Sequence, residues 1–330
     1  METKTKRNKN NFITGYFKRN LGIIAAFLIL AVFFSITSNK FLTSSNIINI
    51  LRQISINTML AYGMTFVILI GGIDLSVGSI LGVAGTLSVT LAAGGMNYIA
   101  AMIIGLVTAV LFGMANGFCI AYGKLPAFIV TLATMEIGRG IAYIITGGTS
   151  CRYDNDFFNA IGNGYLGAIP IPVIIMVITG VVCSIVLSKL KFGRHIYAVG
   201  GNREAARFSG IKTQKAEFLV YTVCGFLSGI AGIVLSSRLV GAQPEAGDGY
   251  ELDAIAAVVL GGTSMTGGVG TIGGTVIGAL IIGILNNGLN LLNIPSYWQK
   301  VCKGIVILIA VYIDAVKKDK SKKIFKKKKA

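Results

Sequence analysis

The sequence predicts an all-α protein that crosses a membrane about ten times, through helices some of which are short or broken by glycine. Three observations carry that expectation. The 330 residues are 54% hydrophobic and only 13% charged, with a mean hydropathy of +0.74. A protein surface facing water normally takes about a quarter of its residues as charge, so much of this surface faces hydrocarbon. Second, apolar runs follow one another with short polar breaks, and several approach the roughly 20 residues needed to cross about 30 Å of lipid. Third, the excess of cations, 30 Lys+Arg against 13 Asp+Glu, is gathered beside apolar runs.

Taken in order, spans are expected near Leu21–Thr37, Ile50–Ile70, Ile80–Ala93, Tyr98–Tyr122, Pro126–Thr146 and Ile169–Leu187. Four more are expected near Phe218–Ser236, Ala254–Gly261, Thr275–Leu292 and Trp298–Ala315. The first has the charged front of a signal peptide, but Phe33–Phe41 offers no Ala-x-Ala-like cleavage site, so an uncleaved span is expected. The cation clusters lie in Met1–Asn20 (Lys4, Lys6, Arg7, Lys9, Lys18, Arg19), Lys189–Lys215 and Lys317–Lys329. Lys and Arg hold loops on the cytoplasmic side. Threading the spans alternately, with both termini cytoplasmic, puts all three clusters inside and the acidic segments Cys151–Asp156 and Glu245–Asp253 outside. That distribution points to membrane orientation, with the basic tail also placed to touch anionic lipid headgroups, and away from nucleic acid. The expected organisation is a basic arm at 1–20, a transmembrane unit at 21–316 with a basic cytoplasmic loop at 188–216, and a Lys-rich tail at 317–330.

Small residues give the spans their means of association. Lipid supplies no hydrophobic drive between helices, so they cohere through close contact. Gly78-x-x-x-Gly82, Gly113-x-x-x-Gly117, Gly225-x-x-x-Gly229 and Gly274-x-x-x-Gly278 fit that use. Val67–Gly78 (VILIGGIDLSVG) and Val258–Gly268 (VVLGGTSMTGG) echo each other as an apolar run, a Gly-rich pair and a polar bend. Paired interruptions of this kind mark the solute path in many transporters.

Chemistry-bearing residues are few. No catalytic group or metal site is expected: the five cysteines have no paired spacing, and His195 is the only histidine, in a polar basic loop. No Gly-x-x-x-x-Gly-Lys-[Ser/Thr] loop exists, and Gly267–Gly274 has glycines but no lysine. No ATP site is therefore expected in this chain. Ionisable residues inside a membrane are costly. Asp74 lies in the Gly-rich break at Gly71–Ser79, and Glu136 and Arg139 stand three apart on one helix, spaced to pair. Asn116, Thr131, Asn286, Asn287 and Asn290 offer uncharged hydrogen-bonding groups, suited either to a polyhydroxylated solute or to tying helices together. So few membrane carboxylates weaken the case for a proton- or sodium-coupled carrier. In the basic loop, Asn202 reads as a helix N-cap, Glu204 as a first-turn anion and Gly210 as a stop, which predicts about two turns of helix. Ala205 and Ala206 leave room for a partner, and Phe208 adds an apolar knob.

At this loop the chain resembles the permease subunits of ABC sugar importers of the ribose type. The matching segments are GGIDLSVGS (Gly71–Ser79), PAFIVTLATM (Pro126–Met135), GRHIYAVGGNREAARFSGI (Gly193–Ile211) and the long run at Gly249–Leu292. The resemblance implies a homodimer in the bacterial plasma membrane that imports a simple sugar, ribose first. It implies a separate ATPase that binds ATP and Mg, seated on a coupling helix matched by Gly201, Asn202, Glu204, Ala205, Ala206, Arg207 and Gly210. It further implies an extracytoplasmic sugar-binding protein, for which the exposed acidic candidates are Asp154, Asp156, Glu245, Asp248 and Glu251. A permease for another small solute, such as branched amino acids, and an ion-coupled secondary carrier are the alternatives.

Overall fold

The computed structural model describes residues 23–327, with side chains as far as Tyr312, Ala310 apart. The predicted basic arm at 1–20 and the last residues of the tail lie outside the described residues. Every one of the ten predicted spans is a helix: α1 (Ile23–Thr37), α2 (Ser44–Leu69), α3 (Val77–Ala93), α4 (Tyr98–Ala121) and α5 (Ala127–Thr146). They continue, with α6 (Asp156–Asn163) intervening, as α7 (Ile171–Lys189), α10 (Thr213–Arg238), α11 (Tyr250–Leu260), α12 (Ile272–Leu291) and α13 (Ser296–Lys327). Between α7 and α10 stand α8 (Lys191–Gly201) and α9 (Arg203–Phe208). A backbone surrounded by hydrocarbon must pair its polar groups within its own segment, and a helix does so. Five of the helices, α4, α5, α7, α10 and α12, are long and apolar enough to cross a membrane by themselves. The chain is a multi-pass membrane protein. The tail expected from Lys317 begins within α13, which runs on to Lys327.

Two regions read as loops hold structure. Gly147–Ala168, expected to be an irregular polar segment, folds into α6 and supplies one strand to each of two very short antiparallel pairs. Cys151 faces Ala242 and Arg152 faces Gly241 in one pair; Tyr165–Leu166 turns back on Ile169–Pro170 in the other. The amide of Asn163 on α6 donates to the carbonyls of Ser237 and Arg238, 3.1 Å each, so this lobe is fastened to the end of α10. The second region is α8, eleven residues in the part of the basic loop where no helix was expected. It buries Ile196 and Val199 against the bundle.

The core runs along α2, α10, α11 and α12, with Tyr62, Phe66, Tyr221 and Val258 among its buried side chains. α4 and α10 meet where their glycine pairs face each other. A Cβ on Gly113 would lie 2.5 Å from the Tyr221 carbonyl oxygen, and one on Gly225 would lie 2.5 Å from that of Ala109. Backbone therefore touches backbone, the arrangement that small-xxx-small spacing permits. The outward faces of α4, α5 and α7 carry exposed Leu111, Ile129, Ile137 and Val181.

The echoed segments share one backbone motif. α2 ends with the Gly72 amide on the Val67 carbonyl and the Gly71 amide on that of Ile68; α11 ends with Thr263 on Val258 and Gly262 on Val259. Gly71 (φ 87°) and Gly262 (φ 84°) take the left-handed conformation that this cap requires. The two bends touch, since the Gly268 amide donates to the Leu69 carbonyl at 2.9 Å.

Candidate functional site

α7, of 19 residues, joins the Gly147–Pro170 lobe to the basic loop and is long enough, at about 1.5 Å per residue, to separate them by the thickness of a hydrocarbon core. The bundle thus has an acidic end and a basic end. At the basic end the predicted coupling residues stand together. Asn202 Oδ1 accepts from the Ala205 amide at 3.0 Å, capping α9, and Gly210 (φ 81°) closes it. Gly201, Asn202, Glu204, Ala205, Arg207 and Gly210 are exposed, and Phe208 is 86% exposed. Ala206 is not part of that surface. It is 4% exposed and packed into the core, because a two-turn helix lying on the bundle must turn one face inward. Ala205 alone of the two alanines is available to a partner.

Two fastenings join this loop to the bundle. Arg203 makes a bidentate pair with Glu217 of α10, Nη2 to Oε2 at 2.6 Å and Nη1 to Oε1 at 3.1 Å. The Glu217 carboxylate holds the guanidinium of Arg203 above its ordinary pKa. On α8, the Tyr197 hydroxyl donates to the Gly270 carbonyl at 2.8 Å. Gly200 lies against both bends, where an added Cβ would fall 2.6 Å from the Gly268 nitrogen and would collide with the Leu69 carbonyl oxygen. The exposed helix is thereby connected, through α8, to the ends of α2 and α11.

The polar residues within the spans sort into separate networks. Asp74 is fully buried and accepts from the Ser76 amide (2.9 Å) and hydroxyl (2.6 Å). Asn116 donates to the Ser76 hydroxyl at 2.9 Å and accepts from Thr134 at 2.6 Å, so the chain of bonds joins the break before α3 to α4 and α5. Thr131, one turn away, returns its hydroxyl proton to the Ala127 carbonyl. On α12, Asn287 and Asn46 exchange two amide bonds of 2.9 and 3.0 Å. Asn286 donates to Asp253 (3.1 Å), whose carboxylate also pairs with Lys303 of α13 at 3.0 Å. Asn290 is exposed and accepts from Gln299.

The expected pairing of Glu136 with Arg139 does not form. Arg139 instead donates from Nη1 to the carbonyls of Pro244 (2.8 Å) and Ala246 (2.9 Å), and Glu136 is exposed on α5. A long guanidinium reaches unpaired loop carbonyls that no residue on its own helix can satisfy, and a buried carbonyl without a donor is costly. At the acidic end Asp154, Asp156, Glu245 and Asp248 are exposed as expected, but Glu251 is buried at 8%. It sits in the first turn of α11, which enters the bundle. A cavity of about 420 Å³ opens beside Glu245 and Asp248, walled by Gln53, Arg238, Gln243 and Tyr250. Asp253, read with the exposed acidic segment, is buried at 2%, and Asn46, Ser76 and Lys303 were not singled out from the sequence. Lys303, a cation inside the last apolar run, was the one readable signal among them.

A bundle of packed apolar helices with an exposed short helix at its basic end fits the membrane subunit of a transporter. The family described as "Branched-chain amino acid transport system / permease component" matches residues 46–311, and the chain belongs to it. The chain is 50% identical to the ribose import permease protein RbsC of Bacillus subtilis, over 91% of this chain and 94% of that one. It is 47% identical to the Haemophilus influenzae protein of the same name, over 94% and 97% of the two chains. The xylose transport system permease protein XylH of H. influenzae is 36% identical, over 90% and 96%. No solved structure gives a significant match. This is a multi-pass protein of the bacterial plasma membrane.

Proposed function

We propose that the chain is the membrane-spanning subunit of an ATP-driven importer for a simple sugar, with ribose as the first candidate. The observation that carries this reading is the 50% identity, across nearly the whole of both chains, to a protein named as a ribose import permease. The family's description points to branched amino acids, but xylose, another pentose, is what the more distant relative is named for. In this reading the basic end is cytoplasmic and a separate ATPase, holding ATP and Mg, seats α9 in its surface. Two copies of the chain enclose the path, and a sugar-binding protein delivers its cargo to the acidic end, at Asp154, Asp156, Glu245 and Asp248. The ATPase pushes α9; α8 passes the displacement to the two bends, and the bundle exchanges one opening for the other. Such a switch needs only a difference of contacts between two packings.

The test is uptake into vesicles containing the chain with its ATPase and binding protein, across ribose, xylose, galactose and leucine. ATP-dependent accumulation of a pentose supports the reading; accumulation of leucine would transfer it to the amino-acid class. Accumulation by the chain alone, driven by an ion gradient, would replace it with a secondary carrier. Glu204→Lys, on the exposed face of α9, is expected to abolish sugar-stimulated ATP hydrolysis while the protein keeps its melting temperature.

A further inference from the structure

We propose that a cavity between the end of α4 and the start of α10 binds the headgroup of an anionic phospholipid. The cavity holds about 700 Å³ and is lined by Lys124, Arg203, Arg207, Lys212 and Lys215, with Glu204 as its one acid. Arg203 is engaged by Glu217. The described ion pairs take up none of the other four cations. Four positive charges therefore face one carboxylate across a cavity large enough for a phosphodiester and its glycerol. Its position is that of a headgroup. It opens at Ala121 and Tyr122, where an apolar span ends, and at Thr213, where another begins.

An aromatic strip adjoins the cations. Phe118 (60% exposed) and Tyr122 (45% exposed) have ring centroids 5.7 Å apart, and Tyr122 lies 6.1 Å from Phe218. Tyr122 also lines the cavity, so the strip leads out of it along α4. Tyr122, an apolar ring with a polar tip, is of the kind enriched at the membrane boundary, and the two phenylalanines extend its apolar side. A second cavity of about 390 Å³, walled by Phe192, Ala216 and Leu219, shares Lys212 and Lys215 with the first. A soluble anion would account for the lysines but not for apolar walls on both sides of them, and the acidic surface of a docking protein would leave the aromatic strip unused. A phospholipid uses both. Once bound, the headgroup lies between Lys124 of the α4–α5 turn and Arg207 of α9, and braces the exposed helix from the membrane side.

Placement at the boundary rests on the proposed topology. Lipid binding is measured without transport, so its failure is distinguishable from failure of the transport reading. The full-length protein is purified in detergent and titrated with phosphatidylglycerol or phosphatidylcholine, bound lipid being read by native mass spectrometry. Lys124→Gln, Lys212→Gln and Lys215→Gln together are expected to weaken phosphatidylglycerol about a hundredfold, each lysine near a headgroup contributing about fivefold. Phosphatidylcholine should be unaffected, and arginine at the same three positions should keep the affinity. Removing equal charge from the tail (Lys326→Gln, Lys327→Gln, Lys328→Gln) should leave it within about twofold. Equal loss from the tail variant, full displacement by inorganic phosphate, or wild-type lipid binding by the cavity variant would each overturn the proposal. So would a cavity variant that binds lipid normally but no longer holds its ATPase, which would assign the cations to that partner.

Discussion

Asp253 offers a quantitative test of how the acidic half of the bundle is held. Its side chain is 3% exposed and that of Lys303 is 26% exposed; the ammonium meets both carboxylate oxygens at 3.0 Å. Asn286 adds a third contact at 3.1 Å, so α11, α12 and α13 converge on one carboxylate. At that separation and an effective dielectric constant of about 20, the attraction is roughly 5 kcal/mol, against which stands the cost of stripping both ions of water. Removing one partner leaves the other charge buried, so Lys303→Met is expected to destabilise by about 3–5 kcal/mol. Lys303→Met with Asp253→Asn removes both charges and should recover at least half of that loss. The assay is reversible unfolding in mixed detergent–SDS micelles with both single variants and the double, so that the pair is isolated from effects on the rest of the chain. If the double variant is destabilised by the sum of the singles, the two groups do not interact in the way described.

Other outcomes follow from the same geometry. Gly113→Leu places a side chain where the Tyr221 carbonyl stands at 2.5 Å; separation of α4 from α10 should cost about 3 kcal/mol or more and lower expression in the membrane. Arg139→Ala removes the donor to the Pro244 and Ala246 carbonyls, costing about 2 kcal/mol and raising hydrogen exchange across residues 243–249. Asn202→Ala removes the cap of α9 and should cost that helix about 1 kcal/mol, seen as faster exchange at the Ala205 amide with little change in global melting.

Much of the fold was legible in the sequence because lipid leaves a chain few options. An apolar run that must cross hydrocarbon becomes a helix whatever its neighbours, so each of the ten runs read as a span is helical, five of them long and apolar enough to cross alone. Asn202, Glu204 and Gly210 announced α9 because a cap, a first-turn anion and a terminal glycine act within a few residues. α8 was missed for the converse reason. Gly193, Gly200 and Gly201 give this stretch a poor local helix propensity, whereas Gly200 lets the helix approach the two bends. Distance in sequence hid the rest. Asn46 and Asn287 are 241 positions apart, and nothing local says that these two amides satisfy each other. Arg139 had a carboxylate at a helical spacing, yet loop carbonyls more than a hundred positions away took its donors. Glu251 looked solvated among acidic neighbours, but tertiary packing draws the first turn of α11 inward.

At Gly200 of α8, backbone bears on the backbone of the two bends at Leu69 and Gly268, with no side chain of its own between them. Where two backbones bear directly on each other, a displacement of a few tenths of an ångström at one is felt at the other, since neither has a rotamer to change. A leucine or methionine at that seat would act as a soft washer and introduce backlash. The bare contact at Gly200 makes that seat stiff, so in the proposed mechanism a short stroke on α9 would pass to the two bends with little loss.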